Sequence, residues 1–172
     1  MNREKSNVAV FSFAYAPFVG GAEVAIRELT QRMPIFFFTN FTAKFDVKNP
    51  PKEVAENVKI LRLGKGSNRR YGIIFKKIAY IFQAWQEAER QHQRRRFELI
   101  WVVMASYGGM AGLLFKMNHP NIQMLLSVQE GDSERHLKYG KFGLVGLFGK
   151  ILMRSADYIH VISSYLRDFS IR

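Results

Sequence analysis

The chain has 172 residues, of which 48% are hydrophobic, so it can bury one core and has no compositional sign of disorder. Its 26 Lys and Arg residues outnumber 14 Asp and Glu residues, and the resulting formal charge of +12 attracts phosphates, nucleic acid or anionic lipid headgroups. The sequence contains no cysteine, which excludes disulfides and thiolate chemistry.

The first half of the chain is predicted to alternate between strands and helices. Apolar runs and turn residues place these elements as a strand over 7–14, a helix over 22–33, a strand over 35–39, a strand over 57–63 and a helix over 71–95. The segment between the second and third strands contains Pro and Lys and is predicted to be a loop. The long helix has an apolar stripe that is expected to face the core, formed by Ile74, Ile78, Phe82 and Trp85.

The second half continues this alternation. Its predicted elements are a strand over 97–104, a short helix that ends near residue 118, a strand over 122–128, a mostly helical segment over 133–155, a strand over 158–162 and a helix from Ser163. Parallel strands need a helix-length return path, so the alternation predicts an α/β fold with a Rossmann-like, doubly wound sheet of six parallel strands. We expect residues 1–172 to form one domain.

Ligand sites are expected beyond the carboxyl ends of these strands. In an open parallel sheet, the loops there converge with the positively polarised N-termini of helices. Four loops meet this description, over 15–23, 105–109, 129–132 and 163–164.

Gly20 and Gly21 lie in the first of these loops. Paired glycines let the backbone approach a ligand and present amide groups at a helix start, which suits a phosphate. The competing interpretation is a turn that requires a positive φ angle. The spacing is not G-x-G-x-x-G, which argues against NAD binding.

Three segments of the chain resemble family 4 glycosyltransferases. Residues 15–23 (YAPFVGGAE), followed by a helix, are similar to the proline and Gly-Gly pair of the family's first loop. Residues 154–163 (RSADYIHVIS) resemble its "adxviavS" stretch, and residues 97–104 (FELIWVVM) resemble its "fDvIh" strand. The resemblance implies one half of a GT-B fold, in which two Rossmann-like domains face each other across a cleft. The first domain of that fold binds mainly the acceptor and the second mainly the nucleotide-sugar.

The resemblance also implies roles for residues at the strand ends. Gly20 and Gly21 would lie against the donor phosphates, whereas Tyr107, Gln129 and Ser163 would line the acceptor side. Many relatives carry a histidine where Gln129 stands. Glutamine can hydrogen-bond a sugar but cannot shuttle a proton, so an acid or base role at this position is in doubt.

Glu130 and Asp132 are the nearest ionisable residues and are therefore the candidate catalytic residues. A carboxylate there could orient an acceptor hydroxyl or stabilise positive charge that develops on the donor sugar. Asp132 also precedes a predicted helix, so a helix N-cap is an equally reasonable role for it.

The function implied by the resemblance is that of the acceptor-side domain of a retaining glycosyltransferase. Its substrates would be a nucleotide-sugar and a glycan or lipid-linked acceptor, with no further cofactor and no metal. The family's donor-binding glutamates and basic residues belong to a second, C-terminal domain and are not present in this sequence. The chain is therefore expected to be inactive by itself.

Residues 142–153 combine apolar bulk with basic borders at Lys138, Lys141, Lys150 and Arg154. Such a segment could lie on an anionic membrane surface, or it could be a core-facing helix with solvated lysines. The sequence has no recognisable export signal and no run of about 18 to 20 apolar residues able to span a bilayer. We therefore expect a cytoplasmic location, with peripheral attachment to the inner face of the membrane in the first case.

A second basic group ends the long helix and consists of Arg90, Arg94, Arg95 and Arg96. These cations either complement the helix dipole or form a binding site. The competing function for the whole chain is a non-enzymatic α/β module that binds nucleic acid or a phosphate ligand, although no nucleic-acid-binding motif is present. A stand-alone module that binds a small ligand or a partner is a third interpretation.

The four histidines show no metal-ligand spacing and are expected in the core or at the surface rather than in a metal site. They are His92, His119, His136 and His160.

Overall fold

The computed structural model describes residues 5–18, 20–66, 73–129 and 144–163. Within these ranges the chain forms seven strands and four helices. In chain order they are β1 (Ser6–Phe11), α1 (Gly21–Gln31), β2 (Phe36–Ala43), β3 (Lys52–Ala55), β4 (Val58–Leu63), α2 (Ile73–Arg94), β5 (Leu99–Val103), α3 (Tyr107–Asn118), β6 (Gln123–Val128), α4 (Leu144–Ser155) and β7 (Tyr158–Val161).

The strands form one sheet in the order β3-β4-β2-β1-β5-β6-β7. β1 pairs in parallel with β2 and β5, and parallel pairing continues to β4 on one side and to β6 and β7 on the other. Among the described strands only β3 is antiparallel, and it pairs with β4 at the sheet edge. Without β3, the parallel strands follow the Rossmann order 3-2-1-4-5-6, which confirms the predicted α/β fold class.

Helices cover both faces of the sheet, which explains the continuous apolar run in β1. Val8, Ala9, Val10 and Phe11 are each at most 2% exposed, whereas a strand with one solvated face would alternate. Val8 and Val10 pack in the same cluster as Ile26 of α1. Ala9 and Phe11 belong to the larger core on the opposite face, under α2, α3 and α4.

Aromatic rings fill the centre of this larger core. Phe11 stacks on Phe41 with ring centroids 5.1 Å apart, and Phe115 of α3 lies 5.9 Å from Phe11. Leu152 of α4 is fully buried in the same cluster. Burying side chains of this size contributes about 1.5–3 kcal/mol each, so α3 and α4 are held firmly against the sheet.

The segment between β2 and β4, which the sequence predicts to be a loop, contains β3. Its four residues are all exposed, and they pair with β4 through a turn in which Glu56 has a φ of 53°. An exposed strand shows no burial pattern in its sequence, so hydrophobic alternation cannot reveal it. The charged residues Lys52 and Glu53 suit a sheet edge, because charge discourages pairing with another chain.

The core-facing side of α2 also differs from the predicted stripe. Trp85 of that stripe packs against the core, as predicted. Ile78 and Phe82 are instead 45% and 50% exposed, and the helix buries Tyr80, Ala84 and Ala88. The spacing of apolar residues in α2 allows two neighbouring rows to face the core. The row with two alanines is the one that packs inward, because small side chains let the helix approach its neighbours closely.

Two predicted helices lie partly or wholly outside the described residues. α4 begins at Leu144, within the predicted helical segment over 133–155, and residues 133–143 are outside the description. The helix predicted from Ser163 onward also lies outside the described residues.

Glycines bring α3 into close contact with the sheet. A Cβ built on Gly108 would lie 2.9 Å from the backbone nitrogen of Phe13 and 3.1 Å from the carbonyl carbon of Ser12. A Cβ on Gly112 would lie 2.5 Å from Cγ2 of Val102. The N-terminus of α3 is therefore pressed directly against the loop that leaves β1.

We expect Gly108→Ala to lower the free energy of unfolding by about 1–3 kcal/mol, because the clash is with backbone and no side chain can rotate away. Gly149→Ala in α4 is the control, since no described atom lies within 4 Å of a Cβ built there and alanine favours helix. Urea unfolding followed by circular dichroism measures both. Equal stability of the two variants would contradict the close approach of α3.

Candidate functional site

The carboxyl ends of the six parallel strands lie along one edge of the sheet, here called the carboxyl edge. From β1 the chain builds the sheet outward through β2 and β4, and after α2 it returns to β5 on the other side of β1. A reversal of this kind opens a crevice at the carboxyl edge, where ligands bind in open parallel sheets. The loops that follow β1 and β5 therefore frame the candidate site.

Arg62, near the end of β4, fixes the loop between β1 and α1. Its side chain is 5% exposed, and Nη2 donates a hydrogen bond to the Ala16 carbonyl at 2.9 Å. Nη1 donates to the Pro50 carbonyl at 3.2 Å and to Oε2 of Glu53 at 2.8 Å. The guanidinium thus ties the loop, in which the Ala16–Pro17 peptide is cis, to the edge hairpin.

Gly20 and Gly21 form the N-terminus of α1. Gly20 is the N-cap with φ −119° and ψ 168°, and Gly21 is helical, so the interpretation of the pair as a positive-φ turn is wrong. No side chain of the described residues caps the helix, and no described atom lies within 4 Å of a Cβ built on Gly21. Uncapped amide groups beside open space suit an anion. The Glu23 carboxylate lies beside Gly20, so an incoming anion has to displace it.

Polar side chains follow β1 and occupy the second half of β2. Oγ of Ser12 donates to Oδ1 of Asn40 at 2.9 Å, and both residues are buried. Oγ1 of Thr42 donates to the Phe13 carbonyl at 3.2 Å. Nδ2 of Asn40 is buried without a hydrogen-bond partner among the described residues. An unsatisfied buried amide costs about 1–3 kcal/mol, which an ordinary core avoids.

Four aromatic side chains, here called the aromatic row, connect the ends of β1, β2 and β5. Phe13 lies 5.2 Å from Tyr107 and 5.2 Å from Phe45, measured between ring centroids. Phe18, which is 45% exposed, continues the row 4.9 Å from Phe45. Nζ of Lys77 in α2 lies 4.9 Å from the Tyr107 ring. Aromatic faces with a few polar groups are the usual lining of a ligand site.

Tyr80 holds α2 to the carboxyl edge. Its hydroxyl oxygen lies 3.1 Å from the Ser12 carbonyl and 3.0 Å from the Phe41 carbonyl, so it donates between the ends of β1 and β2. Burial raises the pKa of Tyr80 far above its ordinary value, so the hydroxyl keeps its proton. Lys77, one turn earlier in α2, is positioned over the aromatic row by this anchor.

Met104, directly after β5, has a backbone conformation that L residues rarely adopt. Its φ is 66°, and its backbone nitrogen donates to the Ser127 carbonyl at 2.8 Å. Such a conformation costs on the order of 1–3 kcal/mol and persists where the surrounding structure fixes the backbone. The turn at Met104 directs the chain into α3 at Tyr107.

The candidate binding residues predicted from the sequence all lie just beyond strands at the carboxyl edge. Gly20 and Gly21 follow β1, Tyr107 follows β5, Gln129 follows β6 and Ser163 follows β7. The ring contact of Tyr107 with Phe13 joins two of these loops directly. The structure thus brings the residues to one edge and leaves their roles as predictions.

The candidate catalytic residues Glu130 and Asp132 lie outside the described residues, so their expected roles also stay predictions. Sequence reasoning missed Phe13, Phe45 and Lys77 as parts of the site. The sequence predicts Phe13 in a strand, Phe45 in a loop and Lys77 in a helix, and only tertiary packing brings them together. The available signal is an aromatic residue two positions after each of the buried strands β1 and β2.

A cavity of about 260 Å³ lies at the opposite, amino edge, where the parallel strands begin. Its lining includes His92 and His119, whose ring centroids are 4.4 Å apart. Nε2 of His119 lies 2.8 Å from Oε2 of Glu89, and Nδ1 of His92 accepts a hydrogen bond from the Phe97 nitrogen at 3.0 Å. In the part of the chain that the structure describes, no three His, Asp or Glu side chains are arranged to hold a metal ion.

The described part of the basic-bordered segment, α4, has one side in the core and one exposed side, and its predicted contact with a membrane stays a prediction. Leu152 is buried in the core, whereas Leu147 and Ile151 are 58% and 45% exposed on the outer side. Lys150 and Arg154 are exposed as well. None of the described helices is both long enough and apolar enough to cross a membrane.

The sheet order and the helices on both faces define a Rossmann-like α/β domain. Over 96% of its length the chain is similar to sucrose-phosphate synthase from Thermosynechococcus elongatus, with a TM-score of 0.68 and 18% identity, and it covers 45% of that chain. A second structure of an enzyme with the same name and source is also similar, with a TM-score of 0.67 and 16% identity. That match covers 97% of the present chain and 82% of the second structure's chain.

The chain therefore spans less than half the length of the first of these enzymes. At such identities the likeness shows the fold, which is the Rossmann-like fold expected of one half of a GT-B glycosyltransferase. No protein-family model and no curated protein sequence matches the chain.

Arg62→Lys should loosen the loop over residues 13–18, because an ammonium cannot replace the planar guanidinium at three acceptors. We expect faster amide hydrogen exchange in that loop and a loss of about 1–3 kcal/mol in the free energy of unfolding. Arg32→Lys is the control, since Arg32 pairs with Glu28 on the surface with a side chain 77% exposed. If exchange in the loop is the same in both variants, Arg62 does not anchor it.

His92→Gln should reduce the loss of stability on acidification. Burial lowers the pKa of His92, the charge of His119 lowers it further, and Glu89 partly opposes both. The pKa of histidine in an unfolded chain is about 6.5. As the pH falls below that value, the unfolded state therefore binds a proton at residue 92 more readily than the folded state does. The free energy of unfolding therefore falls as the pH drops.

Urea unfolding between about pH 8 and about pH 5 measures this slope. Glutamine retains a hydrogen-bond acceptor for the Phe97 nitrogen, and His160→Gln, at an exposed position on β7, controls for removal of a histidine. The same slope in the wild type and both variants would rule out His92 as the source of the pH dependence.

Proposed function

We propose that the chain is the acceptor-side domain of a retaining family 4 glycosyltransferase, which moves a sugar from a nucleotide-sugar to a glycan or lipid-linked acceptor. The observation that carries the proposal is the strand order, which brings the uncapped N-terminus of α1 and the aromatic row to the same carboxyl edge. The fold shared with sucrose-phosphate synthase supports it.

On this proposal the donor diphosphate binds at the N-terminus of α1. The first-turn amide groups after Gly20 point toward the crevice edge and carry the positive end of the helix dipole, equivalent to roughly half an elementary charge. Open space at Gly21 leaves room for phosphate oxygens, and Glu23 moves aside as they enter. A diphosphate offers more acceptor oxygens than the carboxylate that it replaces.

The acceptor is proposed to bind against the aromatic row. The apolar face of a sugar ring suits an exposed aromatic ring such as Phe18, while Tyr107, Gln129 and Ser163 supply polar groups at the same edge. Lys77 offers a cation beside Tyr107, which suits the phosphate of a lipid-linked acceptor.

Glu130 or Asp132 is proposed to orient the acceptor hydroxyl or to stabilise positive charge that develops on the donor sugar, because the amide of Gln129 is neutral and cannot carry a proton. The nucleotide-sugar is a substrate, and we propose neither a metal nor a further cofactor. A second, donor-binding domain completes the contacts to the nucleotide, so the chain transfers no sugar by itself. The proposed location is cytoplasmic, with the outer side of α4 resting on an anionic membrane surface through Leu147 and Ile151.

Gly21→Leu tests the donor site, because the added side chain occupies open space and meets no described atom of the protein within 4 Å of its Cβ. We expect the variant to fold with wild-type stability and to bind nucleoside diphosphate sugars at least about tenfold more weakly, which corresponds to about 1.4 kcal/mol of lost contacts. Isothermal titration calorimetry with a panel of nucleotide-sugars measures the affinity.

Thermal unfolding of Gly21→Leu controls for misfolding, and Gly149→Ala controls for a substitution at a helical glycine away from the carboxyl edge. Unchanged binding by a stable Gly21→Leu variant would remove the N-terminus of α1 from the donor site.

A further inference from the structure

A second cavity at the amino edge, of about 180 Å³, lies beneath the last turns of α2 and is here called the amino-edge cavity. Strand register places Asn7 beside Phe37, and Thr39 beside Lys59, on neighbouring strands of the sheet. These four residues form the floor of the cavity. Most of this face of the sheet is apolar, and it becomes polar only where the strands begin.

The end of α2 forms the opposite wall through Gln91 and Arg94, together with Arg95 directly after the helix. Residues three positions apart lie on the same side of a helix, so Arg94 faces the same way as Gln91. The backbone nitrogen of Arg95 donates to the Gln91 carbonyl at 2.9 Å, which keeps Arg95 close to this wall. The planar group of Arg95 lies 5.8 Å from the Phe37 ring, which joins the helix to the floor. Three strands, β1, β2 and β4, and the end of α2 therefore contribute to the cavity.

The lining contains three cations, Lys59, Arg94 and Arg95, and no acidic residue. Nζ of Lys59 donates to the neutral Oε1 of Gln91 at 2.6 Å, and no salt bridge among the described residues involves Lys59 or Arg94. Nε2 of Gln91 in turn donates a hydrogen bond to Oε1 of Glu87 at 2.6 Å. Glu87 therefore holds the Gln91 side chain in place but is not part of the cavity lining.

Complementing the helix dipole accounts for arginines in the last turn of α2. It does not account for Lys59, which comes from β4 and brings a third positive charge to the same cavity. Like charges that converge on a concave surface attract an anion.

We propose that the amino-edge cavity binds a phosphate group of a small soluble compound, with Lys59 and Arg94 contacting its oxygens and with Arg95 and Phe37 forming the wall. The cavity is smaller than the roughly 300–1,000 Å³ of typical ligand sites, which favours a phosphate or diphosphate over a whole nucleotide. It lies at the edge opposite the proposed donor and acceptor sites, so it stands independently of the proposed function.

The titration of Lys59 supports this site. Burial and the charge of Lys52 lower the pKa of Lys59, Arg94 lowers it further, and Glu87 opposes them. The protein without an anion therefore holds like charges together, and a bound phosphate relieves their repulsion.

Pyrophosphate is the probe, titrated into the chain at low ionic strength and followed by isothermal titration calorimetry. We expect saturable binding that weakens with added salt. Lys59→Met and Arg94→Gln should each weaken binding about tenfold or more, because each removes a charge-assisted hydrogen bond. Arg90→Gln is the matched control on the same helix, since Arg90 is 66% exposed, pairs with Glu87 and lies outside the cavity lining.

Unfolding without pyrophosphate separates binding from folding. Lys59→Met should be at least as stable as the wild type, because it keeps the aliphatic stem and removes a repelled charge. Lack of saturable binding by the wild type, or wild-type affinity in both Lys59→Met and Arg94→Gln, would overturn the proposal.

Gly21→Leu distinguishes this site from the donor site. Pyrophosphate binding that survives Gly21→Leu and is lost in Lys59→Met supports the amino-edge cavity, whereas the reverse pattern overturns it and leaves the donor site intact. Vesicles of phosphatidic acid present a phosphate group on a lipid. If the chain binds these vesicles through Lys59 but does not bind pyrophosphate, the proposal that the ligand is a small soluble compound is overturned.

Discussion

The parallel pairing of β1 with both β2 and β5 is the constraint on which the rest of the structure depends. It sets the point at which the order of successive strands reverses, and in open parallel sheets the ligand crevice lies at the carboxyl ends of the strands at this point. Close packing of α3 against β1 preserves the arrangement, because the backbone at Gly108 meets the backbone of Phe13 with no room for a side chain. The aromatic row then spans the ends of β1, β2 and β5 as a consequence of strand order.

Three anchors give the carboxyl edge a fixed shape before any ligand binds. Arg62 holds the loop after β1, Tyr80 holds α2, and the strained backbone of Met104 fixes the entry to α3. Such preorganisation reduces the entropy that a ligand would otherwise have to overcome on binding. The amino-edge cavity is built differently, since its polar groups come from strand starts and from the end of α2, and the charged residues of its lining are all positive.

The order and type of the parallel elements could be predicted because their signals are local. The apolar run of β1, the glycines before α1 and the stop at Pro34 each act within a few residues. β3 could not be predicted, because its pairing with β4 is the only feature that specifies it among the described contacts. The buried side of α2 could not be predicted either, because it depends on whether Ile78 or Ala84 contacts the neighbouring elements. The aromatic row could not be predicted because it joins residues almost a hundred positions apart in the sequence.

A map of backbone amide chemical shifts on titration with a nucleoside diphosphate sugar tests the central claim most directly. The account predicts that at saturation the largest changes fall on residues 20–23, at the N-terminus of α1. Saturation that leaves residues 20–23 unchanged would contradict the assignment of the carboxyl edge as the donor site.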